Sequence, residues 1–136
     1  MNINLSKAKD ILQKTGCGLA VVKDGETLTF DEPGVKTLLS LQGSLTGAFV
    51  ADRIVGKAAA LLLARGGAVE VYARIISEPA LKVFEKYRVA CVYGEVVENI
   101  QNRVRSGICP MESAVFDTDE CDEAYKILLE KTGFKA

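Results

Sequence analysis

The chain has 136 residues, 49% of them hydrophobic and 26% charged, with 17 lysines and arginines against 18 aspartates and glutamates. That is enough chain for one domain (1–136) with a real core, and its net charge of -1 leaves no basic footprint for a nucleic-acid polymer. Histidine is absent, which removes Ser/His/Asp triads, Cys/His dyads, imidazole bases and most zinc sites.

No signal-peptide pattern and no long apolar span is visible, so a cytoplasmic protein with no membrane partner is expected. Cys17, Cys91, Cys109 and Cys121 show no C-x-x-C spacing, and reduced thiols are the default in that setting.

Leu5, Ala8, Ile11 and Leu12 recur at helical spacing and predict an amphipathic helix over 5–14, stopped by Gly16. Residues 17–22 form a near-continuous apolar run of strand length. Asp24-Gly25 is a hairpin turn signal, and 26–30 alternates around Leu28 and Phe30 as the returning strand. Pro33-Gly34 breaks it; 35–41 predicts a short helix and 43–47 a loop. Residues 50–67 read as a central helix buried all round, with Asp52 as N-cap, Gly66 and Gly67 at its end, and Lys57 as the charge in its interior. Alternation over 68–76 predicts a third long strand. Ser77 caps the next helix, Pro79 lies in its first turn, and it ends near Tyr87. Residues 89–93 predict a strand broken by Gly94. Val96, Val97, Ile100 and Val104 suggest a short helix, and a loop runs from Gly107 through Glu112. Asp119 is expected to cap a last helix that Gly133 closes. This order implies an α/β protein with a mixed sheet and helices on both faces.

The chain resembles the cytidine-deaminase-like superfamily in the order helix, hairpin, helix, strand, helix, strand over about 5–93. Zinc deaminases carry H-x-E or C-x-E at one helix start and P-C-x-x-C at the next. Here the first signature falls on Val55-Gly56-Lys57, followed by an alanine run. The second falls on Pro79-Ala80-Leu81-Lys82-Val83, preceded by Glu78. Val55, Ala80 and Val83 stand where ligands would be, and Lys57 replaces the proton-shuttling glutamate. The resemblance therefore implies a three-layer α/β/α sandwich of the cytidine-deaminase type and its pocket, in a zinc-less, uncharacterised member. It argues against hydrolytic deamination, and no metal or other cofactor is expected. Related folds build dimers and tetramers, which implies a homo-oligomer.

In that pocket two helix N-termini attract anions, and Lys57 adds charge to the same end. Lys57 is thus a contact for phosphate or carboxylate, or an amine able to form a Schiff base, or a lysine paired to Asp52 or another carboxylate. Asp52 is a cap or an orienting partner of Lys57. Arg53 is solvated or a second anion contact. Gly56 within a helix implies close approach by a ligand or by another backbone, or equally well tight helix–sheet packing. Glu78 and Pro110 complete the candidate binding set. Cys109, at the opening of a short helix begun by Pro110, is a nucleophile or a core cysteine, with Glu112 one turn in and able to pair with Lys57. Cys17 and Cys91 are structural, and Cys121 sits on the last helix. The acidic run Asp117, Asp119, Glu120, Asp122 and Glu123 is a favourable negative helix start rather than a metal site.

The expectation is a zinc-less protein that binds a small anionic ligand, a nucleotide or ribosyl derivative, at the N-termini of two helices. The alternatives are an enzyme using Lys57 or Cys109 as covalent nucleophile and a non-catalytic interaction subunit.

Overall fold

Asp24 and Gly25 both adopt positive φ (51° and 78°), as a two-residue turn matched to strand twist requires. They join β1 (Leu19–Lys23) to β2 (Glu26–Phe30), paired antiparallel from Leu19 opposite Phe30 to Lys23 opposite Glu26. β3 (Phe49–Val55) lies antiparallel on the other side of β1, and β4 (Glu70–Ser77) and β5 (Ala90–Val97) extend the sheet in parallel. The computed structural model describes residues 2–31, 34–101 and 107–135, and its sheet has the order β2-β1-β3-β4-β5. Parallel neighbours need crossovers; α3 (Lys57–Gly66) and α4 (Glu78–Tyr87) supply them.

Three layers result. α1 (Ile3–Thr15) covers one face, packing Leu5, Ala8 and Leu12 on Ala20, Val22, Ala51 and Tyr72. The other face carries α3 and α4, with α2 (Val35–Ser40) and α6 (Cys121–Thr132) packed on α3. A short helix, α5 (Pro110–Ala114), links the loop after β5 to α6. The core centres on α3, whose Leu61, Leu62 and Leu63 are each fully buried. Burial of such a side chain contributes about 1.5–3 kcal/mol, so α3 anchors the helical layer. No helix among the described residues is long and apolar enough to cross a membrane.

Several local expectations hold. Gly16 and Gly133 end their helices in the left-handed conformation, and the hydroxyl of Ser77 accepts from the Ala80 N–H at 3.2 Å. Three differ. The central helix begins at Lys57, not near residue 50, and 49–55 is a strand, so Asp52 is no N-cap and Gly56 is not inside a helix. The reason is two-sided burial. Val50 and Asp52 face α3 while Ala51 faces α1, so neither face is wet and the alternation that marks a strand disappears.

β5 runs through Gly94 to Val97, where a break and then a helix were expected; Val104 lies outside the described residues, as does Pro33 of the expected turn. Third, Glu120 rather than Asp119 stands at the N-cap of α6 and makes no side-chain cap bond. Asp122 and Glu123 occupy the first turn of α6, the favourable end for negative charge.

Gly94 is required by close strand approach. A Cβ there would lie 2.8 Å from the Arg74 carbonyl oxygen of β4, a backbone atom that cannot swing away. Gly94→Ala is expected to destabilise the protein by about 1–3 kcal/mol, read as a lower urea midpoint with an unchanged m-value.

Candidate functional site

β3, β4 and β5 are parallel, so their carboxyl ends lie along one edge of the sheet. The residues just past those ends are Gly56-Lys57, Glu78-Pro79 and Glu98-Asn99. Lys57, Glu78, Pro79, Glu98 and Asn99 meet in a cleft of about 470 Å³ that also takes in Lys82, Ile108, Glu112, Phe116 and Asp119. Local chemistry builds each wall. Gly56 stands at the N-cap of α3 in extended conformation, which turns Lys57 into the first helical position. Ser77 and Pro79 do the same for α4, bringing Glu78 and Lys82 to one side at i, i+4 spacing.

Glu112 organises the centre. Gly56 has no side chain to cap α3, and the Glu112 carboxylate performs that task from α5. Oε1 accepts from the Lys57 N–H at 2.5 Å and Oε2 from the Ala58 N–H at 2.7 Å. A negative group on the orphan N–H groups of a helix start is favourable through both hydrogen bonding and the dipole. Burial nevertheless outweighs these two bonds and the nearby Lys57 charge, and holds the Glu112 carboxyl above its ordinary range. A Cβ on Gly56 would collide with the Glu112 carboxylate and the Ile100 side chain, so this glycine is required by close approach.

The Lys57 side chain is 12% exposed and reaches the far wall. Its Nζ donates to the Phe116 carbonyl at 3.0 Å and pairs with Asp119 Oδ1 at 3.0 Å. The hydrogen bond from Lys57 to Asp119 is the main reason the Asp119 carboxyl titrates below its ordinary range. Lys57 is therefore paired with Asp119, and Glu112 meets it through the backbone.

Asp52 and Arg53 do not join this cleft. Arg53 points to the α1 face, where Nε donates to the Cys17 carbonyl at 2.7 Å and Nη2 to the Leu12 carbonyl at 3.3 Å. It is neither an anion contact beside Lys57 nor its helical neighbour. Asp52 lies 2% exposed on β3 and opens on a second cavity of about 320 Å³, on the other side of Glu112, with Gly56, Ala59, Ile100, Cys109 and Met111. Burial pushes the Asp52 carboxyl from its ordinary 3.8 up to about 7, against the backbone N–H bonds of Arg53 and Ile54 and the Arg53 charge. Cys109 is the N-cap residue of α5 as expected, but it opens on this second cavity and not on the cleft of Lys57. Pro110 is exposed and lines neither.

Lys82, Glu98, Asp119 and the Phe116 carbonyl are groups of the cleft that the sequence reading did not place there. Glu98 and Lys82 carry a usable signal, the first residue after a parallel strand and the i+4 partner of Glu78; the carbonyl carries none. Val55, Ala80 and Val83 are buried and apolar, and none carries an atom that could ligate a metal. No group of three or more cysteine, aspartate or glutamate side chains suited to a metal ion occurs among the described residues.

A family model, TM1506, a domain of unknown function (DUF1893), matches residues 7–132. The chain belongs to this DUF1893 family. It is also similar to the crystal structure of a DUF1893 family protein (TM1506) from Thermotoga maritima. The two are 27% identical with a TM-score of 0.87, over 96% of this chain and 91% of that one. No curated protein matches this DUF1893 chain.

Two predictions test the divided site. Gly56→Ala and Glu112→Ala are each expected to cost about 1–2 kcal/mol, the first by overpacking and the second by uncapping α3. Because the added methyl meets the carboxylate, the double variant is expected to cost at least about 0.5 kcal/mol less than the sum, measured by urea unfolding. Asp52 has a folded pKa above its unfolded one. Its contribution is fully present below about pH 4 and is lost as pH rises through about 7. Asp52→Asn removes this dependence, so its stability relative to wild type is expected to grow from pH 4 to pH 8 by up to about 4 kcal/mol, read from melting curves across pH.

Proposed function

We propose that this DUF1893 protein binds a small nucleoside-like or ribosyl ligand bearing an anionic group, without zinc, in the cleft at the carboxyl ends of β3, β4 and β5. The observation that carries this reading is the convergence of Lys57, Glu78 and Glu98, each delivered by the end of a different parallel strand into one concave space. Open α/β sheets take ligands outside the carboxyl ends of their strands, and a cleft of about 470 Å³ lies in the range of small-molecule sites.

The charges suit a ligand with hydroxyls and one anionic group. Glu78, Glu98 and Asp119 can accept hydrogen bonds from sugar hydroxyls, and Lys57 and Lys82 can donate to phosphate or carboxylate. The anion then rests on the lysines and not on the bare helix ends. The N–H groups of Lys57 and Ala58 are already held by Glu112, and that of Ala80 by Ser77.

Kinship with the cytidine-deaminase-like superfamily is part of this reading. It is supported by the hairpin followed by three parallel strands and by the two degraded signatures falling where α3 and α4 begin. With Val55, Ala80, Val83 and Lys57 at the metal-ligand and shuttle positions, the reading is of binding rather than of hydrolysis.

Calorimetric titration with ribose 5-phosphate, nucleosides and nucleoside monophosphates, alongside intact mass under native and denaturing conditions, tests it. The phosphorylated compounds are expected to bind and to raise the melting temperature, by about 2.7 kcal/mol of stabilisation at a hundredfold excess over Kd. Lys57→Ala and Lys82→Ala are expected to weaken the phosphorylated ligands about tenfold and the nucleosides less. A bare chain in native mass spectra that binds no member of this panel sinks the proposal.

A further inference from the structure

The second cavity has a different chemistry from the cleft and no part in the reading above. It lies between the carboxyl-terminal half of β3, the first turns of α3, the start of α2 and the segment carrying Cys109 and Met111. Its walls are aliphatic, from Val35, Ile54, Ala59, Ile100 and Met111. Its charged lining among the described residues consists of two carboxylates. One, Glu112, is committed to the N–H groups of Lys57 and Ala58.

The other, Asp52, is 2% exposed, and its Oδ1 has no hydrogen-bond partner among the described residues. The neighbouring cation offers no direct pairing. Arg53 follows Asp52 on the strand and so points to the opposite face, where its guanidinium is spent on the Cys17 and Leu12 carbonyls. Burying a carboxylate oxygen without a donor is unfavourable unless something supplies one. Among the described residues the backbone does not supply it to Oδ1, and the aliphatic walls cannot.

We propose that this cavity is a second ligand site, one that takes a small molecule with an apolar body and a cationic, hydrogen-bond-donating head, an amine or amidine, whose head pairs with Asp52. The walls hold the body by excluding water from it. Among the described residues the lining carries two acidic side chains and no basic one, which disfavours anions and ligands that can only accept. The volume of about 320 Å³ limits the occupant to about the size of a single substituted ring. Glu112 separates this occupant from anything in the Lys57 cleft, so the two sites can be assayed one at a time.

Benzamidine is the probe, with neutral benzamide and anionic benzoate as controls, titrated into the full chain and followed through backbone amide NMR signals. Benzamidine is expected to bind saturably in the millimolar range or tighter, shifting Ile54, Gly56 and Met111, with benzamide at least about tenfold weaker and benzoate without effect. Asp52→Asn, isosteric and uncharged, is expected to weaken benzamidine about tenfold or more while leaving the far-ultraviolet spectrum unchanged. Ile54→Trp keeps the carboxylate, stands on a half-exposed position at the rim, and is expected to obstruct the same binding. The proposal is overturned if benzamidine does not saturate, if benzoate binds as well, if Asp52→Asn or Ile54→Trp binds like wild type, or if the shifts gather at Lys82 and Glu98.

Discussion

A carboxylate on the first turn of a helix usually comes from the residue just before it. In this protein it comes from Glu112, more than fifty residues away in the chain, and much of the site depends on that substitution. Gly56 leaves α3 uncapped and leaves room; Glu112 fills the room and caps Lys57 and Ala58. The contact ties α5 to α3 and so fixes the segment around Cys109 and Met111 against the sheet edge. It sets Lys57 at the head of α3, from where its side chain reaches Phe116 and Asp119. It also forms the partition between two cavities, because the carboxylate belongs to the lining of both.

The partition separates two electrostatic environments. On one side a cleft of mixed sign lies at three strand ends, with Lys57 already engaged by a carboxylate that is 75% exposed. Water screens that pair, so its strength is modest and a ligand that offers a better acceptor can compete for Lys57. On the other side an aliphatic cavity holds a buried carboxylate with one oxygen unmatched. Strand alternation produced this asymmetry. Asp52 and Arg53 are adjacent in sequence, yet the pleat sends one to the α3 face and the other to α1, and neighbours that would have neutralised each other face different layers.

Membership of the DUF1893 family and the likeness to the Thermotoga maritima protein make the architecture a family property. Activity has to be argued from the site, since one fold hosts many functions. Three geometric features mark it: strand ends that converge, helix starts that are already capped, and the buried apolar side chains of Val55, Ala80 and Val83.

The sequence by itself determined the elements whose signals are local. The Asp24-Gly25 turn, the amphipathic stripe of α1, the Ser77 and Pro79 start of α4 and the glycine stops at 16 and 133 all rest on contacts within one turn or one pair of residues. The buried nature of α3 was legible from its unbroken apolar run, and Lys57, Glu78 and Glu112, singled out by their types at two helix starts and a loop, do line one cleft. Tertiary structure decided the rest. It made 49–55 a strand, because helices on both faces erase the alternation that would have announced it. It sent Arg53 away from the site and buried Asp52, because a strand puts neighbours on opposite faces where a helix would have kept both near its start. It chose Asp119 for Lys57 and Glu112 for the end of α3, because pairings across fifty or more residues depend on how whole elements pack, and no spacing along the chain encodes them.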